Sequence, residues 1–409
     1  MVIVLAVMLV AAAALAGVAS GARPCPPALA AAAAAAPTGS AATAAVPQGF
    51  VGVDTDGPLF GADTPVDFGR QITSMVSNGV ESIRVAFSWA DAQPYASWSN
   101  VPADQKVEFT DVNGRPYDFQ NTDMIVGDTA RERVSILPTV LYAAPWDARR
   151  NPNGVDTPKH VAPYAAFLTA LISRYGPHGS FWTANPSIPK TPIRMWQIWN
   201  EPDLTYYWTQ PFAPTYVALL KAAHQAIRRA DPGAKVVLGA LTNVAWQSIG
   251  SIYRIRGARN LFDIVAVNGF TKEPANVILY LRFMRSAMGR AGDGRKPLIA
   301  TEVSWPSARG KISHRGYSFD TTEAGQARNL ATLLPLLGEN RVSLRLAGFY
   351  YYTWMSDEHR GATPFGYAGL LSFRNGKVAA KPALAAFRTG VLALEQCRSK
   401  GRYATSCIR

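Results

Sequence analysis

Only ten glutamates occur among the 409 residues, and two of them close strongly hydrophobic runs. Glu201 follows Met195-Trp196-Gln197-Ile198-Trp199-Asn200 and precedes Pro202. Glu302 follows Pro297-Leu298-Ile299-Ala300-Thr301 and precedes Val303-Ser304-Trp305-Pro306. A carboxylate at the end of a buried strand is costly unless it is paired or used. Two such groups facing one cleft among Trp and Tyr side chains have the chemistry that cleavage of a glycosidic bond requires. One must be protonated to expel the leaving oxygen, and the other ionised to attack the anomeric carbon.

The elements that must position this pair are legible as short, nearly continuous apolar runs. Strands are expected over Phe50–Val53, Ser82–Phe87, Val134–Leu141, Met195–Trp199, Lys235–Ala240, Ile264–Asn268, Leu298–Glu302 and Ala347–Thr353. Such runs suit parallel strands covered on both faces rather than half-exposed alternating ones. Amphipathic helices are expected over Tyr164–Tyr175, Pro214–Ala230, Thr322–Leu337 and Pro382–Leu394, with Asp231-Pro232-Gly233 ending the second. Eight strand-helix units in about 350 residues argue for a single α/β domain, a (β/α)8 TIM barrel. A doubly wound sheet should carry Gly-x-Gly-x-x-Gly after an early strand, and that pattern is absent. In a barrel, reactive groups sit at the C-terminal ends of strands, so Glu201 on strand four and Glu302 on strand seven can face one cleft.

The run Trp199-Asn200-Glu201-Pro202, with Thr301-Glu302 about a hundred residues later, resembles the retaining glycoside hydrolases of clan A. Glu81-Ser82-Ile83-Arg84-Val85 leading to Ser88-Trp89, and Arg174-Tyr175-Gly176-Pro177 with Phe181-Trp182, are similar to the bacterial families near family 39 and family 5. The likeness spans Phe50 to Arg388. It implies that Glu201 is the general acid/base and Glu302 the nucleophile, and that Asn200 binds the sugar 2-hydroxyl. It further implies that Arg84 sits near Glu302 and keeps it ionised, and that Trp354 forms the platform beneath the sugar. Trp89, Tyr142, Trp146, Tyr206, Trp208 and Trp305 fall in the loops at the strand ends, where they are candidates for stacking on sugar rings. One position departs from the clan. Strand six usually carries His-x-Tyr, the Tyr touching the nucleophile, whereas this chain has Val267-Asn268-Gly269-Phe270. Asn268 keeps hydrogen-bonding capacity, but Phe270 has no donor for Glu302. The departure leaves open an unusual sugar, a catalytically silent carbohydrate-binding barrel, or weakened catalysis. A transglycosylase using the same carboxylates is a further alternative. The partner expected is a polysaccharide or oligosaccharide, with sugar, linkage and endo or exo action open.

Composition bounds the rest. Hydrophobic residues make up 48% and charged residues 17%, which excludes a mostly disordered chain. Five scattered histidines and three cysteines show no zinc-ligand spacing, so no metal and no cofactor are expected. Lys and Arg total 41 against 28 acidic residues, a formal charge of +13. The charge lies in scattered spots such as Arg149-Arg150 and Arg228-Arg229, with no basic stripe, so nucleic acid is not an expected partner. A solvated basic surface is the expected reading, with an anionic glycan as the lesser alternative.

Residues 1–22 read as a signal peptide or signal anchor, although no Lys or Arg precedes the apolar run, and 23–47 as an Ala-rich low-complexity linker. The barrel is expected over 48–395 and a basic tail over 396–409, with a Cys397–Cys407 disulfide. These features imply a secreted monomer, held at a membrane only if the leader is uncleaved.

Overall fold

The computed structural model describes residues 46–60, 66–242, 244–312, 317–359 and 363–395. The expected leader, nearly all of the expected linker, and the expected tail with Cys397 and Cys407 lie outside the described residues. The fold starts slightly earlier than the sequence suggests. Val46, placed in the linker above, is buried, and its N–H donates to the Leu394 carbonyl at 3.3 Å.

Eight parallel strands form one sheet: β1 (Val51–Thr55), β2 (Ser82–Ser88), β3 (Ser135–Leu141), β4 (Met195–Asn200), β5 (Lys235–Ala240), β6 (Val265–Asn268), β7 (Leu298–Val303) and β8 (Leu346–Tyr351). Each pairs with its sequence neighbours, and β8 returns to β1 with Val51 opposite Phe349. The seam between β5 and β6 is closed by two parallel bridges, Val237 with Ile264 and Leu241 with Val267. The sheet is therefore a closed barrel, which leaves no edge for another chain to pair with.

One long helix follows each strand: α1 (Phe68–Ser77), α2 (Gln120–Arg131), α3 (Val161–Tyr175), α4 (Phe212–Ala230), α5 (Ala245–Tyr253), α6 (Pro274–Arg290), α7 (Glu323–Leu344) and α8 (Pro382–Leu394). The eight strands expected from sequence are all present, with ends moved by a few residues. Helix α7 runs past the expected stop at Leu337 to Leu344. Gly338 lies inside it where α8 packs closely: a Cβ at Gly338 would lie 2.7 Å from Leu394 Cδ2.

Among the described residues two apolar clusters build the barrel, beside a small third one of Ala308 and Tyr367. The larger lies between strands and helices. The smaller fills the barrel itself and includes Leu137, Val237, Ala240, Ile264, Ile299 and Tyr350. Gly52 on β1 admits the Tyr350 ring, which stands 2.4 Å from where a Cβ would be, and the Tyr350 hydroxyl meets Ser82 Oγ at 2.8 Å. This plug closes the N-terminal end and leaves polar side chains for the C-terminal end. Three short strands after β8, Met355–Asp357, Leu371–Arg374 and Lys377–Ala380, form a small sheet beside the β8 loop. Among the described residues no helix is long and apolar enough to cross a membrane, and no group of potential metal ligands gathers.

Candidate active site

Burial forces polar groups at the C-terminal end of the barrel to satisfy one another. Arg84 on β2 is the hub. Its Nε donates to Gln197 Oε1 at 3.0 Å, and Nη2 donates to Asn200 Oδ1 at 2.7 Å. Its Nη1 donates to Asp54 Oδ1 at 2.5 Å and to Glu302 Oε1 at 2.7 Å. One guanidinium thus joins β1, β2, β4 and β7. A planar, always-charged fork with five donors is the only side chain suited to that task.

Glu201 enters the same cavity by a turn of the backbone. Trp199 and Glu201 have φ of 69° and 41°, left-handed values that are costly for residues with a Cβ. The Trp199 indole anchors this turn by donating to the Tyr207 carbonyl at 2.9 Å. Opposite, Thr301 Oγ1 donates to Asn268 Oδ1 at 2.8 Å, which fixes the amide so that Nδ2 donates to Glu201 Oε1 at 2.8 Å.

The two glutamates are equally buried, each 8% exposed, but their surroundings differ. Burial, then the charge of Glu302, pushes the Glu201 carboxyl up to about 8. Burial also raises Glu302, and the Arg84 charge and hydrogen bond oppose it. Glu302 therefore loses its proton first and Glu201 keeps one near neutrality. Asp54 and Asp56 stand beside them, both raised chiefly by burial. Asp56 accepts from Tyr352 Oη at 2.7 Å and from Thr353 Oγ1 at 2.8 Å.

These groups line a cavity of about 470 Å³, within the range of small-molecule sites. Its other wall is aromatic. Phe270 packs at 5.5 Å from Phe319 and 5.1 Å from Phe365, and Tyr352 meets Phe365 edge-on at 5.7 Å. Tyr317, Tyr142, Tyr206 and Tyr207 complete the rim.

Of the residues singled out in the sequence, Glu201, Glu302, Arg84, Asn200, Tyr142 and Tyr206 line this cavity, and Asn268 braces it. The five tryptophans do not line it. Trp354 is fully buried, and its Nε1 donates to Gln71 Oε1 of α1 at 2.9 Å. Tyr352, two residues earlier, presents its ring to the cavity instead. Trp89 packs among Trp146, Tyr164 and Phe167, and Trp146 Nε1 donates to the Gln93 carbonyl at 3.0 Å, joining two loops. Trp208 lies against Trp199 and Tyr216 with Nε1 on Thr215 Oγ1 at 2.8 Å. Trp305 is buried, with Nε1 donating to the Lys272 carbonyl at 3.2 Å. Each indole finds one acceptor inside the fold, so its large apolar area is removed from water without an unmet donor.

Asp54, Asp56, Gln197, Tyr352 and the wall of Tyr317, Phe319 and Phe365 were not anticipated. The aspartates carry a signal that was there to use, since Asp54 and Asp56 close the run Val51-Gly52-Val53 as the glutamates close theirs.

No protein-family model matches the chain, nor does any curated protein. Solved structures do. It is similar to the GH39 enzyme from Xanthomonas axonopodis pv. citri, at 17% identity over 85% of this chain and 67% of that one, with a TM-score of 0.57. It is also similar to a monomeric beta-xylosidase from Caulobacter crescentus CB15, at 17% identity over 84% and 68%, TM-score 0.57. The Ignisphaera aggregans GH53 catalytic domain matches at 20% identity over 85% of this chain and 97% of that one, TM-score 0.55. The chain has the (β/α)8 fold of clan A glycoside hydrolases. Family 39, indicated by the sequence resemblance, is among these neighbours.

Proposed function

We propose that the chain is a retaining glycoside hydrolase working by double displacement. The observation that carries this reading is the division of labour between two carboxyls in one cavity. Glu201 is held protonated by burial and by the charge of Glu302, while Arg84, hydrogen-bonded to Glu302, opposes the burial that raises that carboxyl. Glu302 attacks the anomeric carbon while Glu201 gives its proton to the leaving oxygen, forming a glycosyl-enzyme. Glu201, now ionised, takes a proton from water, which attacks the same carbon and releases Glu302. Asn200, its Oδ1 engaged by Arg84, has its NH₂ left to donate to the sugar 2-hydroxyl. Tyr352, rather than Trp354, serves as the ring beneath the sugar.

The change on strand six fits this chemistry. Glu302 accepts its hydrogen bond from Arg84 instead, and Phe270 joins the aromatic wall. The rival reading, a silent carbohydrate binder, predicts no turnover of any glycoside. The cavity also sets a limit on substrate. Asp54 and Glu302 share one guanidinium and Asp56 lines the same cavity, so a sugar bearing its own carboxylate would add an uncompensated buried charge there. A neutral ring at the cleavage position is therefore the proposed substrate, within a polysaccharide or oligosaccharide. A monomeric, secreted enzyme remains the proposed state and location.

The test is hydrolysis across neutral aryl glycosides and cell-wall polysaccharides, with Glu302→Gln as control. Turnover of one neutral glycoside that vanishes in Glu302→Gln supports the reading. Equal turnover by that variant would remove Glu302 as the nucleophile.

A further inference from the structure

The basic residues that look scattered along the sequence do not stay scattered in the fold. Helix α5 and the segment after it bring Arg254, Arg256 and Arg259 beside Arg290 at the end of α6. All four are exposed, and among the described residues none has a carboxylate within ion-pair distance. The nearby Asp293 is already used: Lys296 lies 2.8 Å from its Oδ2, and Tyr253 Oη donates to the same oxygen at 2.8 Å. Arg254 and Arg290 donate to Ser251 and Ser286 hydroxyls at 2.8 Å each, which holds the guanidinium groups without neutralising them.

The four arginines border a groove of about 600 Å³ between α5 and α6. Trp246 lies at its other end, half-buried, with Tyr280 and Phe283 at 5.1 and 5.0 Å from its ring. Phe283 is itself 41% exposed. Barrel helices run antiparallel to the strands they follow, so the ends of α5 and α6 lie at the N-terminal end of the barrel, opposite the cavity of Glu201 and Glu302. The helix C-termini contribute partial negative charge, which steadies one or two arginines but does not balance four.

We propose that this groove is a second, non-catalytic glycan-binding surface for an acidic polysaccharide. Its carboxylate-bearing sugars would pair with the arginine forks, and a neighbouring ring would stack on Trp246. The two ends of the barrel then divide the recognition of one polymer or one cell envelope: neutral residues are cleaved in the acidic cavity, and anionic residues are held on the arginine groove.

Binding here does not depend on turnover, so it is tested apart from the catalytic reading. Full chain is run by affinity electrophoresis through gels containing polygalacturonate, and polyglutamate serves as a sugar-free polyanion. Native chain should be retarded by polygalacturonate more than by polyglutamate. Arg256→Ala/Arg290→Ala should lose most of the retardation at unchanged melting temperature and unchanged turnover of a small aryl glycoside. Trp246→Ala should lose the preference for polygalacturonate over polyglutamate. Retardation unchanged in the arginine variant would overturn the site. Equal retardation by both polyanions, or tighter capture by duplex DNA or phosphatidylserine vesicles, would overturn the glycan assignment.

Discussion

Arg84 and Glu302, 218 positions apart in the chain and carried on β2 and β7, meet at 2.7 Å with Arg84 donating. The same guanidinium holds Asn200, the residue before Glu201. One cation therefore bears on both the charge of Glu302, the proposed nucleophile, and the placement of the strand end that carries Glu201, the proposed acid.

Replacing Arg84 should damage stability and chemistry separately. Arg84→Met leaves Asp54 and Glu302 buried without their cation, and breaking a buried pair of this kind costs about 3–5 kcal/mol. Denaturant unfolding measures it. The milder Arg84→Lys should fold, yet one ammonium cannot reach four acceptors. The Glu302 pKa then rises, and the acid limb of the kcat/KM profile should move to higher pH. An unmoved acid limb would separate Arg84 from the ionisation of Glu302.

The basic limb belongs to Glu201. Its carboxyl is raised to about 8, so activity should fall as pH rises through about 8, and the limb should disappear in Glu201→Gln. That variant should lose about 10²- to 10⁴-fold in kcat on substrates with poor leaving groups, and much less on activated aryl glycosides. Equal losses on both would contradict an acid role.

Glu201 should also weaken the fold it serves. Its folded pKa lies above the unfolded value, so its contribution to stability is complete below the ordinary carboxylate range and is lost as pH rises toward 8. Glu201→Gln should therefore melt higher than the native chain at pH 7, with the difference gone near pH 4. Thermal unfolding at the two pH values decides this.

The exchange of roles between Trp354 and Tyr352 is open to a paired comparison. Tyr352→Ala should raise KM and lower kcat with little change in stability, because its ring borders the cavity. Trp354→Ala empties a fully buried site and should cost about 3–5 kcal/mol, while the folded fraction keeps its KM. The reverse pattern would restore Trp354 as the platform.

The barrel was readable because strands buried on both faces leave uninterrupted apolar runs, and Glu201 and Glu302 were readable because they interrupt those runs at the ends. The aromatic wall was not. Phe319 and Phe365 arrive from long loops with no period, and nothing local says which ring turns toward the cavity. Indoles were overvalued for the same reason. Trp89, Trp208, Trp305 and Trp354 sit in the expected loops but turn inward, where a carbonyl or side-chain oxygen waits for each Nε1. The arginine groove was hidden because Arg256 and Arg290 are brought together only when α5 and α6 pack.

Covalent trapping reaches the centre of the mechanism most directly. Native chain is incubated with 2-fluoro-glycosides of neutral sugars carrying good leaving groups, digested, and mapped by mass spectrometry. A glycosyl adduct on the Glu302 peptide, absent in Glu302→Gln, is the expected result. An adduct on another residue would contradict the double displacement proposed here, and so would none from a sugar whose ordinary aryl glycoside the native chain hydrolyses.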